Sequence, residues 1–279
     1  MPVSLRFRRR SAAAAPISSS CSPIGSATRW LPWLLPVLIL LAWELAARSG
    51  TLSRRILPEP LAVVQAAWQL IQSGEMWADV KVSTGRALAG LAMGGGAGLI
   101  LGLATGLSRY ADALLDSTIQ MLRNIPVLAT IPLVILWFGI DESAKLFLVA
   151  LGVFFPIYIN TCHGIRSVDA GLIEMSRSYG LSGWALYRHV ILPGALPSIL
   201  VGLRFGLGLM WVTLIVAETI SAQAGIGYMT MNAREFLQTD VVLVGILLYA
   251  LLGKLADLLA KALERALLRW HPAYRRGAA

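Results

Sequence analysis

The sequence predicts an all-α, polytopic integral membrane protein of about six transmembrane helices, and three observations predict it. Hydrophobic residues make up 57% of the 279 residues and charged ones only 14%, where a soluble domain carries about a quarter. Mean hydropathy is +0.69. The apolar residues gather in stretches of about 17 to 23, near the ~20 that a helix needs to cross the hydrocarbon. The net charge of +9 does not mark a nucleic-acid face. The cations sit at both ends and between apolar stretches, as the positive-inside rule places them. Cys21 lies in a polar tail and Cys162 in an apolar stretch, so neither a disulfide framework nor a thiol metal site is implied.

Residues 1–29 are rich in Arg, Ser and Ala, with no acidic residue before Glu44. Such a segment cannot bury a core and reads as a disordered basic cytoplasmic tail. Residues 30–80 hold the first span and an outer amphipathic segment. The span is Trp30–Ala47, with Trp30 and Trp33 suited to the interface and Glu44 near the far end. Arg6, Arg8, Arg9, Arg10 and Arg29 place the N-terminus in the cytoplasm, while Arg48, Arg54 and Arg55 weigh the other way. Pro60 opens an amphipathic helix with Leu61, Val64, Trp68 and Ile71 on one face, expected to pack on the spans and to end at Ser73-Gly74.

Residues 81–265 form the membrane core. The second span, Arg86–Leu107, carries Gly90, Gly94, Gly98, Gly102 and Gly106 at a strict spacing of four. That is one helix stripe on which another backbone can approach closely. The third span holds Pro126 and Pro132 and ends at Gly139, and an acidic turn with Asp141, Glu142 and Lys145 follows. The fourth is Lys145–Thr161, with Pro156, Tyr158 and Asn160 at membrane depth. The fifth is Ala195–Ala217 and the sixth Val241–Leu263, where Lys254 and Asp257 stand three apart and are expected to pair. Between the fifth and sixth lies an outer loop with a Gly225-Ile226-Gly227 turn and a short helix at about Met229–Leu237. Residues 266–279 are a basic cytoplasmic tail.

The long polar interruption, residues 165–194, has a structure of its own. Asp169 opens a helix that Gly180 ends in the left-handed conformation, and Ser182 caps a second short helix that should stop near Pro193. Leu172, Ile173, Met175, Trp184 and Tyr187 offer apolar surface to a partner. An interfacial connector lying on lipid is the alternative.

Within it, Glu174, Gly180 six residues on, and Val190-Ile191-Leu192-Pro193 resemble the permease signature of binding-protein-dependent ABC importers. Met175-Ser176 replaces the signature's two alanines and Val190 its isoleucine. The runs MLRNIP, IPLVILWFGIDESAK, FPIYINT, LMWVTLIVAETISA and NAREFLQTD are similar in particular to the aliphatic sulfonate permease subunits, and the similarity covers about Pro58 to Tyr274. The resemblance implies a type I ABC importer permease fold in the bacterial inner membrane, a second copy of the chain, an ABC ATPase pair and a periplasmic substrate-binding protein. It assigns Glu174, Gly180, Val190, Leu192 and Pro193 to ATPase coupling, and aliphatic sulfonates to the pathway. Taurine, nitrate or a related anion is the alternative cargo.

No catalytic set is visible. His163, His189 and His271 lack a second ligand at metal spacing, and no Gly-x4-Gly-Lys phosphate loop exists. No cofactor or metal is therefore expected on this chain, and ATP and Mg²⁺ belong to the partner ATPase. An ion-coupled secondary transporter would need mid-membrane carboxylates and usually an internal repeat; Glu44, Glu218 and Asp257 lie towards span ends, and no repeat is evident. Asn124, Thr130, Asn160, Arg204 and Trp211 are candidates for a pathway lining, helix–helix hydrogen bonding being their other use.

Overall fold

A computed structural model describes residues 31–49 and 57–270. The N-terminal tail, Trp30, Arg54, Arg55 and the residues from His271 on lie outside the described residues. Helix α1 is Leu31–Arg48 and α2 is Pro60–Ser73. The segments α3 Glu75–Leu107, α4 Arg109–Arg123, α5 Val127–Phe138 and α6 Glu142–Arg166 follow. Then come α7 Ala170–Ser178, α8 Gly183–Ile220, α9 Ile226–Glu235 and α10 Thr239–Leu267. Among the described residues four segments (α3, α6, α8 and α10) are long and apolar enough to cross a membrane, five if α4 and α5 count as one span. The described residues thus hold four or five such segments, with the apolar 18-residue α1 beside them, where the hydropathy predicts about six.

Several boundaries move for physical reasons. The predicted third span is two helices bent by 86°, because Pro126 sits at the break and cannot donate to the turn before it. The second span starts eleven residues early, at Glu75. Its extra turns are polar and are held by packing on the loop before α9, where Asp79 Oδ1 accepts from Gly225 N–H at 2.8 Å. In α2 the face that packs is Val63, Ala66 and Leu70, whereas Leu61, Val64 and Trp68 stay more than half exposed. Outside the stripe of Gln65, Gln69 and Gln72 the apolar face of this helix is wider than its contact, and the small Ala66 allows the closer approach to α10, which leaves the bulky side outward. Glu44 pairs with Arg48 one turn on, at 2.5 Å.

Helix α6 is the centre of the bundle, packed between α3 and α8. All five glycines of the α3 stripe face it. A Cβ on Gly98 would lie 2.7 Å from the Phe154 carbonyl oxygen, and one on Gly102 would lie 2.8 Å from that of Tyr158. On the other side a Cβ on Gly202 of α8 would meet Asn160 Cβ at 2.7 Å. Backbones in this contact have no side chain between them, which is how dispersion holds helices together in lipid. The core then spreads from α6 through Val149 and Val153 to Met210, Trp211 and Leu214 of α8 and to Val244 and Tyr249 of α10.

Gly94→Leu should disrupt the α3–α6 seam, because even a Cβ there falls on the Ala150 backbone. A loss on the order of 3 kcal/mol or more is expected in detergent unfolding. Gly96→Ala, with nothing within 4 Å of the added carbon, should be neutral. Equal behaviour of the two variants would refute the seam.

Candidate functional site

Three features carry chemistry: a foot at one end of the bundle, a buried ionic cluster at the other, and two cavities flanking α8.

The foot is α7 with the start of α8. Asp169 caps α7 by accepting from Gly171 N–H at 2.7 Å. At the other end Gly180, φ +85°, donates to Arg177 O at 2.9 Å while Leu181 donates to Ser176 O at 3.0 Å. These are the paired bonds of a Schellman stop, which a residue without Cβ adopts most readily. Ser182 occupies the next cap position through its carbonyl, which accepts from Ala185 at 3.2 Å, and not through its hydroxyl. The expected second short helix does not stop near Pro193. It runs on as α8 through a widened π turn at Tyr187–Ile191. The wide turn takes up the missing proline N–H that would otherwise break the ladder. The foot is thus continuous with a membrane-crossing helix.

Its outer surface is apolar and unpartnered in the monomer: Leu172, Met175, Tyr179 and Trp184 are exposed, Tyr179 by 81%, with Glu174 among them. Val190, Leu192 and Pro193 are half-buried in the root. The root is braced by Arg166, which pairs with Asp112 of α4 and donates to Thr105 O of α3 at 3.2 Å. Tyr158 Oη also donates to Asp116, at 3.0 Å.

The ionic cluster was not anticipated from sequence. Glu218, 1% exposed, accepts from Ser83 Oγ and Arg86 of α3 at 2.8 and 2.7 Å, from Tyr249 Oη of α10 at 2.9 Å, and from Gly227 N–H at 2.9 Å. Arg86 also grips Glu142 of α6 with two bonds of 2.6 Å, and the buried Lys145 reaches the same carboxylate at 3.0 Å. Arg86 further donates to Ala224 O, at 2.6 Å, and Ile226 N–H donates to Ser83 Oγ, at 2.9 Å. Gly225, φ +113°, has no room for a Cβ beside Glu218 and Arg86. The cluster therefore locks the loop ahead of α9 onto α3, α6, α8 and α10. A signal was present: Arg86 lies four residues before Gly90 and so shares the stripe that faces α6.

The candidate pathway residues do not come together. Arg204 lines a cavity of about 480 Å³ between α8 and α10. A second, of about 450 Å³, is lined by Arg123, Ile125, Pro126, Phe155, Phe205 and Thr213 among others. Asn124 is exposed at the α4–α5 break beside it. Thr130 donates to Val127 O at 2.6 Å and Asn160 to Pro156 O at 2.8 Å, each within its own helix. Trp211 is buried in the core, edge-on to Tyr249 with ring centroids 6.4 Å apart. The expected Lys254–Asp257 pair is loose, at 4.0 Å; Arg204 and Lys261 each reach Asp257 at 2.8 Å.

Residues 94–269 match the profile of the binding-protein-dependent transport system inner membrane component family. The chain belongs to that family. Its members are transport components, and with its apolar helices the chain is a multi-pass membrane protein of that kind. It is 68% identical to the aliphatic sulfonates transport permease protein SsuC of Escherichia coli over 250 residues, 88% of this chain and 95% of that one. With the SsuC protein of Bacillus subtilis it shares 45% over 86% of this chain and 87% of the other. With the taurine transport system permease protein TauC of E. coli it shares 38% over 84% and 87% respectively. In this family member the residues that resemble the permease signature, Glu174, Gly180 and Val190 to Pro193, lie in the foot and its root.

Glu218→Ala should lower stability by about 3–5 kcal/mol, because it leaves the Arg86 charge without its buried partner. Tyr249→Phe, which removes one of several donors, should cost about 1 kcal/mol. Chemical unfolding of the solubilised protein reads both, and similar small losses would show that the cluster is not a single unit.

Proposed function

We propose that the chain is the membrane-spanning subunit of an ATP-driven importer that passes aliphatic sulfonates into the cytoplasm. Identity of 68% across 95% of the E. coli SsuC chain is the observation that carries the cargo. The taurine permease at 38% supports that alternative less. Two copies of the chain sit in the bacterial inner membrane, with both termini and the foot cytoplasmic. An ATPase pair that binds ATP and Mg²⁺ lies beneath, and a periplasmic binding protein delivers the anion from above.

The foot is the coupling element. Glu174 and the exposed Leu172, Met175, Tyr179 and Trp184 dock on an ATPase. Gly180 makes the turn, and Val190, Leu192 and Pro193 carry displacement into α8 without a joint. Closure of the ATPase pair on ATP moves the foot, α8 moves with it, and the pathway switches from inward-open to outward-open. After hydrolysis it reopens to the cytoplasm.

The reading is tested in liposomes that hold the chain with its ATPase and binding protein. Uptake of labelled alkanesulfonate should require ATP and every subunit, and should yield to alkanesulfonates more than to taurine or nitrate. Uptake indifferent to ATP would sink it, and preferential inhibition by taurine would change the cargo. Gly180→Val should cut uptake about tenfold or more while ATP hydrolysis continues, since a β-branched residue resists a φ of +85°. Normal uptake at normal assembly would remove the coupling role from this turn.

A further inference from the structure

Arg204 stands at the edge of the cavity between α8 and α10, 41% exposed, with most of its hydrogen-bonding capacity unused. Its Nε donates to Asp257 Oδ1 at 2.8 Å, and its two terminal amino groups have no partner among the described residues. Lys261 holds the same Asp257 at 2.8 Å and Lys254 stands at 4.0 Å. Three cations around one carboxylate leave a local charge of +2. Asp257 is ten residues from the end of α10 and eighteen from its start, about 15 and 27 Å along the axis. Lys254 is the first charged residue after Asp240, so the cluster stands just past the uncharged run Val241–Gly253, towards one end of the span. Ionisable groups within a spanning helix are costly and mark a site more often than a filler.

The surroundings suit one kind of ligand. Arg204 and Asp257 line the cavity of about 480 Å³, whose other walls are Val201, Phe205, Leu207, Gly208, Leu209 and Gly253. It is an apolar groove with a cation at its side, within the size range of small-molecule sites. The unpartnered amino groups form a planar fork that matches two oxygens of an oxyanion, and guanidinium keeps its charge at any working pH. Asp257 orients the fork through Nε, and the two lysines offset the carboxylate so that it does not repel an incoming anion.

We propose that Arg204, oriented by Asp257 and Lys261, is a contact site for the anionic head of the transported alkanesulfonate, with the groove beside Gly208 and Gly253 taking its alkyl chain. This rests on the sulfonate-importer reading above and adds residues that set its specificity. A phospholipid offers the same chemistry, an oxyanion on an apolar tail. The two sources share one chemistry, and the dependence on sulfonate chain length and on anionic lipid separates them. The contact has to be weak, because a conducted ion must leave as readily as it enters.

The test uses the complete transporter in liposomes. Arg204→Gln should lower alkanesulfonate uptake about tenfold or more, the scale of a lost charged hydrogen bond, with ATP hydrolysis stimulated by the binding protein still measurable in the same vesicles. Arg204→Lys, which keeps the charge but not the fork, should fall between. Gly208→Leu has room for its Cβ, with nothing within 4 Å, and its side chain would fill the groove. It should reduce uptake of octanesulfonate relative to methanesulfonate, a ratio that a merely structural role would not move. If Arg204→Gln fails to assemble, that ratio decides alone. Unchanged uptake in Arg204→Gln, or an unchanged chain-length ratio in Gly208→Leu, overturns the proposal. So does a dependence on anionic lipid that disappears with Arg204→Gln, which would assign the site to a headgroup. Absence of ATP-driven sulfonate uptake by the unaltered transporter would instead remove the reading underneath.

Discussion

The contact between the α3 stripe and α6 sets the register for the rest of the molecule. Lipid tails are as apolar as leucine, so burial of apolar surface does little to draw spans together, and close backbone packing takes its place. The glycines at 90, 94, 98, 102 and 106 bring α3 against α6, the middle three onto its backbone and the outer two onto the Val149 and Ile165 side chains. Counted from Arg86 the stripe is twenty residues long, about 30 Å, which is the thickness of the hydrocarbon. Both ends of the bundle are therefore placed by one seam. At one end Arg86 arrives opposite Glu142, and at the other Thr105 arrives opposite Arg166.

The two ionic groups differ in the way that separates scaffold from site. Around Glu218 each carboxylate oxygen is occupied, and three helices, α3, α9 and α10, contribute donors. Such a cluster resists rearrangement, because removing one member strands a buried charge. It gives the end of the bundle opposite the foot a fixed shape. Around Arg204 the balance is left positive and part of the guanidinium is open to a cavity. One group is closed and rigid, and the other leaves a charged donor available to a cavity.

The foot is a polar interruption built without a break into a membrane-crossing helix. A helix that stopped near Pro193 would leave a joint between the foot and the span. The π turn at Tyr187–Ile191 absorbs the proline, and one helix runs from Gly183 to Ile220. Trp184 is thus joined through one helix to Phe205 and Leu209, which line both cavities.

Composition and local chemistry determined much of this by themselves. The membrane class follows from hydropathy, the stop at Gly180 from the need for a left-handed residue, and the α3 stripe from its period. All three depend on residues near in sequence, where geometry is set by the backbone. The tertiary structure alone decided which helix the stripe meets, why Trp211 is core while Arg204 lines a cavity, and which face of α2 is buried. It alone assembled the Glu218 cluster, whose members lie up to 166 positions apart, from Ser83 to Tyr249. A charge near a span end reads the same in sequence whether it meets water, lipid or a partner, and only packing supplies the partner.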